Sequence, residues 1–361
     1  MKYLLASLVP LSPILGYLAG DSYFFITPLF FFLIVPALDF LFGRDTTQYA
    51  EPNSKAGSMK FRIILYFCFL LQLLLVMFGI YLGVLYDGEN YFLIGHLVST
   101  GLALGAFGLV SHELSHSTNK WERLISLIGY SSIFYPHYFI EHLSGHHVNY
   151  CTPKDVSTSF LGESLYHFIP RSISGSLRNA WRLEKKKATI SGRAAWTFKN
   201  RFILLMTISL LTLFGIYSIF GSYAALFYIA QGIAALLVIE CANYVAHYGL
   251  ERREISPGVF EKGSVEHAWD TSFWFSSLVL LNLPRHADHH CNPSKPFQLL
   301  SYFEKSPKAI SGPSGMILLS FFPFLWARIM DPIAIQYRNH LQIEDLDSNC
   351  GLKGVLSQKE I

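Results

Sequence analysis

Six long apolar runs set the pattern of the chain. They cover residues 4–19, 23–42, 62–86, 91–111, 202–221 and 223–244, with short polar links between most of them. A helix needs about 20 mostly apolar residues to cross a bilayer. The pattern therefore predicts an all-α integral membrane protein with six transmembrane helices. The first two runs are parted by a bare "GDS" and lack a clean small-x-small cleavage site. They predict a retained helical hairpin rather than a removed leader. Shorter runs at 124–140, 273–284 and 315–327 suit re-entrant, interfacial or protein-buried segments. Any one of them, read as a span, would carry the polar residues after it across the membrane.

Composition supports this reading. Charged residues make up 15% of the chain, against about 25% in soluble domains, and the mean hydropathy is +0.34. A net charge of +3 is too small and too scattered for a nucleic-acid partner. Charge also orients the chain. Between the fourth and fifth spans, residues 171–201 carry nine Lys and Arg and a single acid, Glu184. The outer loops are "GDS" and "DGEN" (87–90). The positive-inside rule then puts the 171–201 link, the 43–60 link and both termini in the cytoplasm. The basic run itself reads as a solvated face or as a docking face for an acidic partner. Two regions follow: residues 1–244 as the transmembrane part, including the link 112–201, and residues 245–361 as a cytoplasmic cap with a loose tail. Five cysteines, Cys68, Cys151, Cys241, Cys291 and Cys350, form no CxxC pair, so neither a disulfide framework nor a thiolate zinc site is indicated.

Nine of the 14 histidines fall in four groups. "HELSH" holds His112 and His116, on one helical face at i,i+4. "HLSGHH" holds His142, His146 and His147. "NYVAHYGL" holds His247, and "HADHH" holds His286, His289 and His290. In the topology above all four lie at the cytoplasmic boundary. Unpartnered imidazoles there would be costly, and imidazole suits iron, zinc, copper and nickel. Nine ligands exceed one metal and fit two, with four or five nitrogens each. Imidazole-rich coordination without thiolate favours two irons and dioxygen chemistry over structural zinc. Acids should then orient the rings through their free N–H groups. Glu113, Glu141, Asp155, Glu240, Asp270 and Asp288 are placed for this, and Asn243 lies one turn before His247. His137 and His267 are secondary candidates; His96, His167 and His340 are more remote ones.

The four boxes in order, "HELSH", "EHLSGHH" with "TPKDVSTS", "NYVAHYGL" and "LPRHADHHCNPSKPFQLL", resemble those of the integral-membrane alkane 1-monooxygenase (alkane omega-hydroxylase) family. That family lies within the membrane fatty-acid desaturase and hydroxylase superfamily. The resemblance runs from about residue 90 to 300. It implies a cytoplasmic di-iron site ligated by the nine histidines. By their placement, Glu113, Glu141, Asp155, Asn243 and Asp288 are expected to be the catalytic residues beside it. The resemblance also implies O2-dependent hydroxylation of the terminal methyl of n-alkanes at a bacterial inner membrane. Electrons would come from rubredoxin and its reductase. A fatty-acyl desaturase or hydroxylase, or a hydroxylase of alkyl side chains on aromatic rings, is the alternative. One departure stands out: Ala246 occupies the position before the third-box histidine where the family commonly has an acid.

The substrate so implied has no polar handle. Recognition would fall to a long apolar cavity reached from the bilayer, worth about 0.8 kcal/mol per buried CH2. The Phe-rich second span and Gly101, Gly105 and Gly108 are candidates for its lining, or equally for lipid contact and close helix packing. The chain has neither a Rossmann glycine fingerprint nor a four-cysteine iron–sulfur pattern, so an external electron carrier is expected.

Overall fold

The structure, a computed structural model, describes residues 2–48, 59–86 and 92–339. The 87–90 loop, Lys55 in the 43–60 link, His340, Cys350 and the expected tail lie outside the described residues.

Six helices are long and apolar enough to cross a membrane: α1 (Lys2–Ala19), α2 (Ser22–Phe42), α3 (Met59–Tyr86), α4 (Phe92–Ser115), α8 (Arg201–Phe220) and α9 (Ser222–His247). Between them lie α5 (Lys120–Ser132), α6, which runs from residue 138 to 149, and α7 (Leu165–Ile190). A two-stranded hairpin, β1 (Glu254–Ser256) with β2 (Val259–Phe260), precedes α10 (Trp274–Val279), α11 (His286–Cys291), α12 (Pro313–Ser320) and α13 (323–339). The three ambiguous runs become short pieces. Run 124–140 breaks into α5 and the start of α6 across a turn where Phe134 takes a φ of 57°. Run 273–284 holds only the six residues of α10, and run 315–327 is divided between α12 and α13.

Burial tells which spans are central. In α4, 72% of the most apolar window is buried, against 17% in α8. Leu210, Leu211, Phe214 and Ile219 of α8 face outward, as lipid contact requires. The glycines of α4 explain its place. A methyl on Gly101 would collide with Ala234, and one on Gly105 with Val238 and the Ala235 carbonyl. These glycines therefore let α4 and α9 approach closely, and that approach draws the ends of both helices together.

The C-terminal segments are tied to the spans by buried polar contacts. The Asp39 carboxylate of α2, fully buried, accepts from the Ser276 backbone N–H (2.8 Å) and the Ser276 hydroxyl (2.5 Å). It thus serves an otherwise orphaned N–H in the first turn of α10. Arg285, also buried, pairs with Asp45 at 2.8 Å. Replacing Asp39 by Ala leaves both Ser276 donors unsatisfied at a cost of about 1–3 kcal/mol. The thermal midpoint of the detergent-purified Asp39→Ala protein should fall accordingly; an unchanged midpoint would mean that α10 is docked by packing alone.

Candidate metal centre

All nine histidines of the four boxes meet at one end of the spans. The last turn of α4 delivers His112, and His116 follows just beyond it. His247 ends α9. The i,i+3,i+4 spacing in the single short helix α11 presents His286, His289 and His290. The rings fall into two groups. His112, His116, His142, His147 and His289 form one; His146, His247, His286 and His290 form the other. Within each group the candidate ligand nitrogens all lie within 4.8 Å of one another.

The division depends on how α6 is wound. Its middle, His142–His146, is a π-helix set between α-helical turns. On an α-helix, residues five apart point about 140° away from each other. A π turn closes i→i+5 bonds and brings such residues over one another. His142 and His147 accordingly meet, Nε2 to Nε2 at 3.0 Å, while His146 turns to the other group.

The donor set fits metal ions. Nε2 of His142 lies 3.1 Å from that of His116, and Nε2 of His147 lies 3.2 Å from that of His289. In the second group, Nε2 of His290 is 2.9 Å from that of His286 and 3.2 Å from that of His247. Ligands at right angles on imidazole–metal bonds of about 2.1 Å would be about 3.0 Å apart. Each Nε2 has several close nitrogens and cannot hydrogen-bond to all of them. A shared cation reconciles them. The two groups abut, with the His147 and His290 rings stacked at 4.5 Å and 24°.

The acids behave differently from expectation. Asp155 does orient a ring: its Oδ2 accepts from His146 Nδ1 at 2.9 Å and from the Thr158 hydroxyl at 2.6 Å. Asp288 instead takes Lys295 (2.6 Å), Asn292 (2.8 Å) and the Ser301 backbone N–H (2.7 Å), bracing the cap around α11. Glu113 accepts from the Phe297 N–H at 2.9 Å. Asp270 holds Ser272, Ser306 and Lys308. Glu240 accepts from Tyr135 (2.7 Å) and Asn243 (3.3 Å), and Glu141 from Asn179 (3.4 Å). Nδ1 of His112, His142, His147, His289 and His290 is buried without an acceptor among the described residues. The cap thus uses most of its acids as scaffold.

One ring partner is a backbone group. His247 Nδ1 faces the His267 carbonyl at 2.8 Å. His267 matters for its carbonyl; its own ring contacts Ser264 and Glu261. His137 lies outside both groups, and His96 sits on α4 among Tyr17, Phe24 and Tyr86. Two tyrosines escaped sequence reasoning. The Tyr138 ring stacks on His142 at 5.1 Å, and Tyr150 packs on His290 at 4.3 Å. Their places four residues before His142 and four after His146 are the signal that pointed to them.

Burial sets the protonation of the rings. It pushes His116 down to about 3, and holds His142, His147, His286, His289 and His290 well below the usual 6.5. These imidazoles stay neutral, the form that binds metal. His146 runs the other way. Burial again pulls it down, but the Asp155 charge and hydrogen bond outweigh this and raise it.

An apolar cavity of about 150 Å³ reaches the cluster. Its walls include Phe31 and Phe32 of α2, Gly105 and Gly108 of α4, Val238 and Ala246 of α9, and Ile317 of α12, and it meets His112, His142 and His286. Ala246 therefore opens directly onto this space.

Residues 90–316 match the fatty acid desaturase family. The chain is 36% identical over 306 residues to alkane 1-monooxygenase 2 of Pseudomonas aeruginosa, covering 83% of this chain and 81% of that one. It is 30% identical over 361 residues to the alkane 1-monooxygenase of Ectopseudomonas oleovorans, covering 95% and 89%. The chain belongs to the alkane 1-monooxygenase family. Within the wider group it is also 29% identical over 258 residues to the xylene/toluene monooxygenase hydroxylase component of Pseudomonas putida, covering 70% and 67%. The four histidine segments of this chain, all within the matched residues 90–316, are the ones that converge in this structure.

Two measurements probe the centre. Asp155→Asn weakens the acceptor that fixes His146 and should lower metal affinity about 10- to 100-fold, read as metal retained through dialysis against a chelator. Wild-type retention would remove Asp155 from that role. In metal-stripped protein, rings with a folded-state pKa below 6.5 take up protons more readily once unfolded. Stability should then decline as pH falls below about 6.5, by about 1.4 kcal/mol per pH unit for each such ring, with His146 opposing. A thermal midpoint that rises between pH 7 and pH 5 would contradict this.

Proposed function

We propose that this chain is a di-iron monooxygenase that hydroxylates the terminal methyl of medium-chain n-alkanes at the cytoplasmic face of a bacterial inner membrane. The observation that carries the proposal is an apolar cavity ending on a partitioned set of five and four imidazoles. His112, His116, His142, His147 and His289 would hold one iron, and His146, His247, His286 and His290 the other. Bound there, the pair would supply reductive activation of O2 and the power to attack an unactivated C–H bond. The overall stoichiometry is alkane, O2, two electrons and two protons giving a 1-alkanol and water.

The chain's own residues provide binding, orientation and dryness. The cavity walls offer an alkane burial and no hydrogen bond, so affinity grows with each CH2 enclosed. Phe31, Phe32 and Ile317 sit on spans and segments bordering lipid, consistent with entry of the substrate from the bilayer. His112, His142 and His286 at the cavity wall place the end of the substrate against the centre. Asp155 and the His267 carbonyl keep His146 and His247 turned inward. Tyr138 donates to Asn243 at 3.1 Å, and Asn243 in turn to Glu240, so these three side chains beside the cavity form one hydrogen-bonded chain. Electrons are proposed to come from rubredoxin, supplied by its reductase, because the sequence carries no nucleotide-binding fingerprint and no iron–sulfur cysteine set.

Relationship to a xylene/toluene hydroxylase component, together with Ala246 on the cavity wall, favours alkyl-aromatic side chains as the second reading. Elemental analysis of purified protein, on the sample used for an octane assay with rubredoxin and its reductase, separates them. The expected result is about two irons per chain and 1-octanol. Two irons with benzylic alcohol from toluenes and no octanol would favour the second reading; zinc from an iron-replete preparation would overturn both. His142→Ala, His247→Ala and His289→Ala should each lower bound iron and abolish turnover.

The cavity makes its own prediction. Ile317→Trp narrows it on the α12 side, away from the ligands. Longer alkanes should lose about fourfold in kcat/KM per CH2 no longer enclosed, while the shortest good substrate keeps its rate. A uniform loss over all chain lengths would place Ile317 outside the binding path.

A further inference from the structure

The segment from the second half of α7 to the start of α8 is strongly basic, yet the structure surrounds its charges with exposed apolar groups. Arg178, Arg182, Lys185, Lys186, Lys187, Arg193 and Lys199 are exposed. The one acid in 171–201, Glu184, is 4% exposed and engaged by Arg201, through its backbone N–H at 3.1 Å and Nε at 2.9 Å. Arg171 is paired with Glu163. The seven exposed cations therefore have no carboxylate available within their own segment.

Among them stand Ile190 (76% exposed), Trp196 (81%) and Phe198 (67%). Large apolar side chains so exposed on a link of this charge need a partner. Their position shows which kind. Arg201 begins α8, so residues 190–200 sit at the level where a spanning helix enters the bilayer. Leu204, Ile208 and Leu211 continue the exposed apolar surface along α8. Trp196 is backed by Trp181 at 4.7 Å, and Trp181 by Phe202 at 5.7 Å, forming an aromatic cluster of the kind found at membrane interfaces. Beside it Arg193, Ala194, Thr197, Phe198 and Lys199 line a shallow hollow. Two cations and a hydroxyl above an apolar wall match a phosphate with acyl chains beneath it. A soluble acidic protein would satisfy the charges and leave Trp196 and Phe198 facing lipid-level surface.

We infer that Arg193 and Lys199, with Trp196 and Phe198, form a binding site for an anionic phospholipid, headgroup phosphate on the cations and acyl chains along α8. The site has a structural consequence. Helix α7 leads from it to Asn179, which holds Glu141 next to the ligand His142. Anchoring the link at the membrane surface would thus fix the depth of the helix that carries three of the imidazoles. This inference stands independently of the reaction proposed above.

The test uses the full chain purified in detergent and equilibrated with phosphatidylglycerol and phosphatidylcholine in equal amounts. Retained lipids are counted by native mass spectrometry. The wild type should be enriched in phosphatidylglycerol. Arg193→Ala with Lys199→Ala should lose that enrichment by about fivefold for each cation removed, and Arg193→Lys with Lys199→Arg should keep it. Trp196→Ser with Phe198→Ser should loosen both lipids. A charge-matched control on the cap, Lys262→Ala with Lys305→Ala, should match the wild type. Bound iron should be the same throughout. Equal enrichment in the Arg193→Ala, Lys199→Ala protein and the wild type would overturn the inference. So would unchanged lipid retention with a raised KM for the soluble electron carrier, which would assign the patch to a protein partner.

Discussion

Nine imidazoles gathered in two groups, with the ligand nitrogens of each group within 4.8 Å of one another, in a nearly dry site, form the constraint on which the rest of the structure depends. Close pairs run from 2.9 to 3.2 Å, and most of the rings are buried or nearly so. Lone pairs pointed at one another repel, and burial denies them water. The arrangement becomes favourable once cations lie between them, so binding free energy of metal contributes to folding free energy. Much of the chain reads as the apparatus that makes this gathering possible. Close α4–α9 packing at glycine brings two helix ends together, a π turn redirects one imidazole, and a polar-braced cap swings α11 over the top.

The polar residues around the centre show how that apparatus is divided. Asp155 and the His267 carbonyl touch rings, whereas Asp39, Asp45, Asp270 and Asp288 hold segments to one another. A short helix such as α11 has little stability of its own. It needs Asp288, Lys295 and Ser301 to keep its three histidines aimed. Positioning of the candidate ligands therefore rests on groups that lie outside the imidazole cluster. Substitutions at such positions should be felt at the centre through ligand placement as well as through stability.

Function follows from the meeting of two dissimilar environments. On one side of His112, His142 and His286 lies the imidazole cluster; on the other lies an apolar cavity whose helices border lipid. An alkane gives an enzyme nothing to grip except surface, so discrimination has to come from length and shape. Family membership, shown by similarity over most of the chain, agrees with that division. Ala246 lies on the cavity wall, in the space a substrate would fill.

Much was legible in the sequence. Apolar length gave all six spans to within a few residues, because the hydrocarbon thickness leaves a helix little freedom of length. The nine histidines declared themselves by clustering, since unpaired imidazoles at a membrane boundary are too costly to be idle. What the sequence could not contain was their partition. By α-helical periodicity His142 and His146 share a face; the π turn instead pairs His142 with His147, and only backbone winding decides that. Gly101 suits cavity lining and packing surface equally by sequence, and packing sets it against Ala234; Gly105 does both, against Val238 and on the cavity wall. Most of the acids near the boxes proved to be braces, because which group an acid meets depends on chain segments up to hundreds of residues away. Periodicity and length are local properties and are written in the sequence; the convergence of remote segments on one point is a property of packing, and the tertiary structure alone decided it.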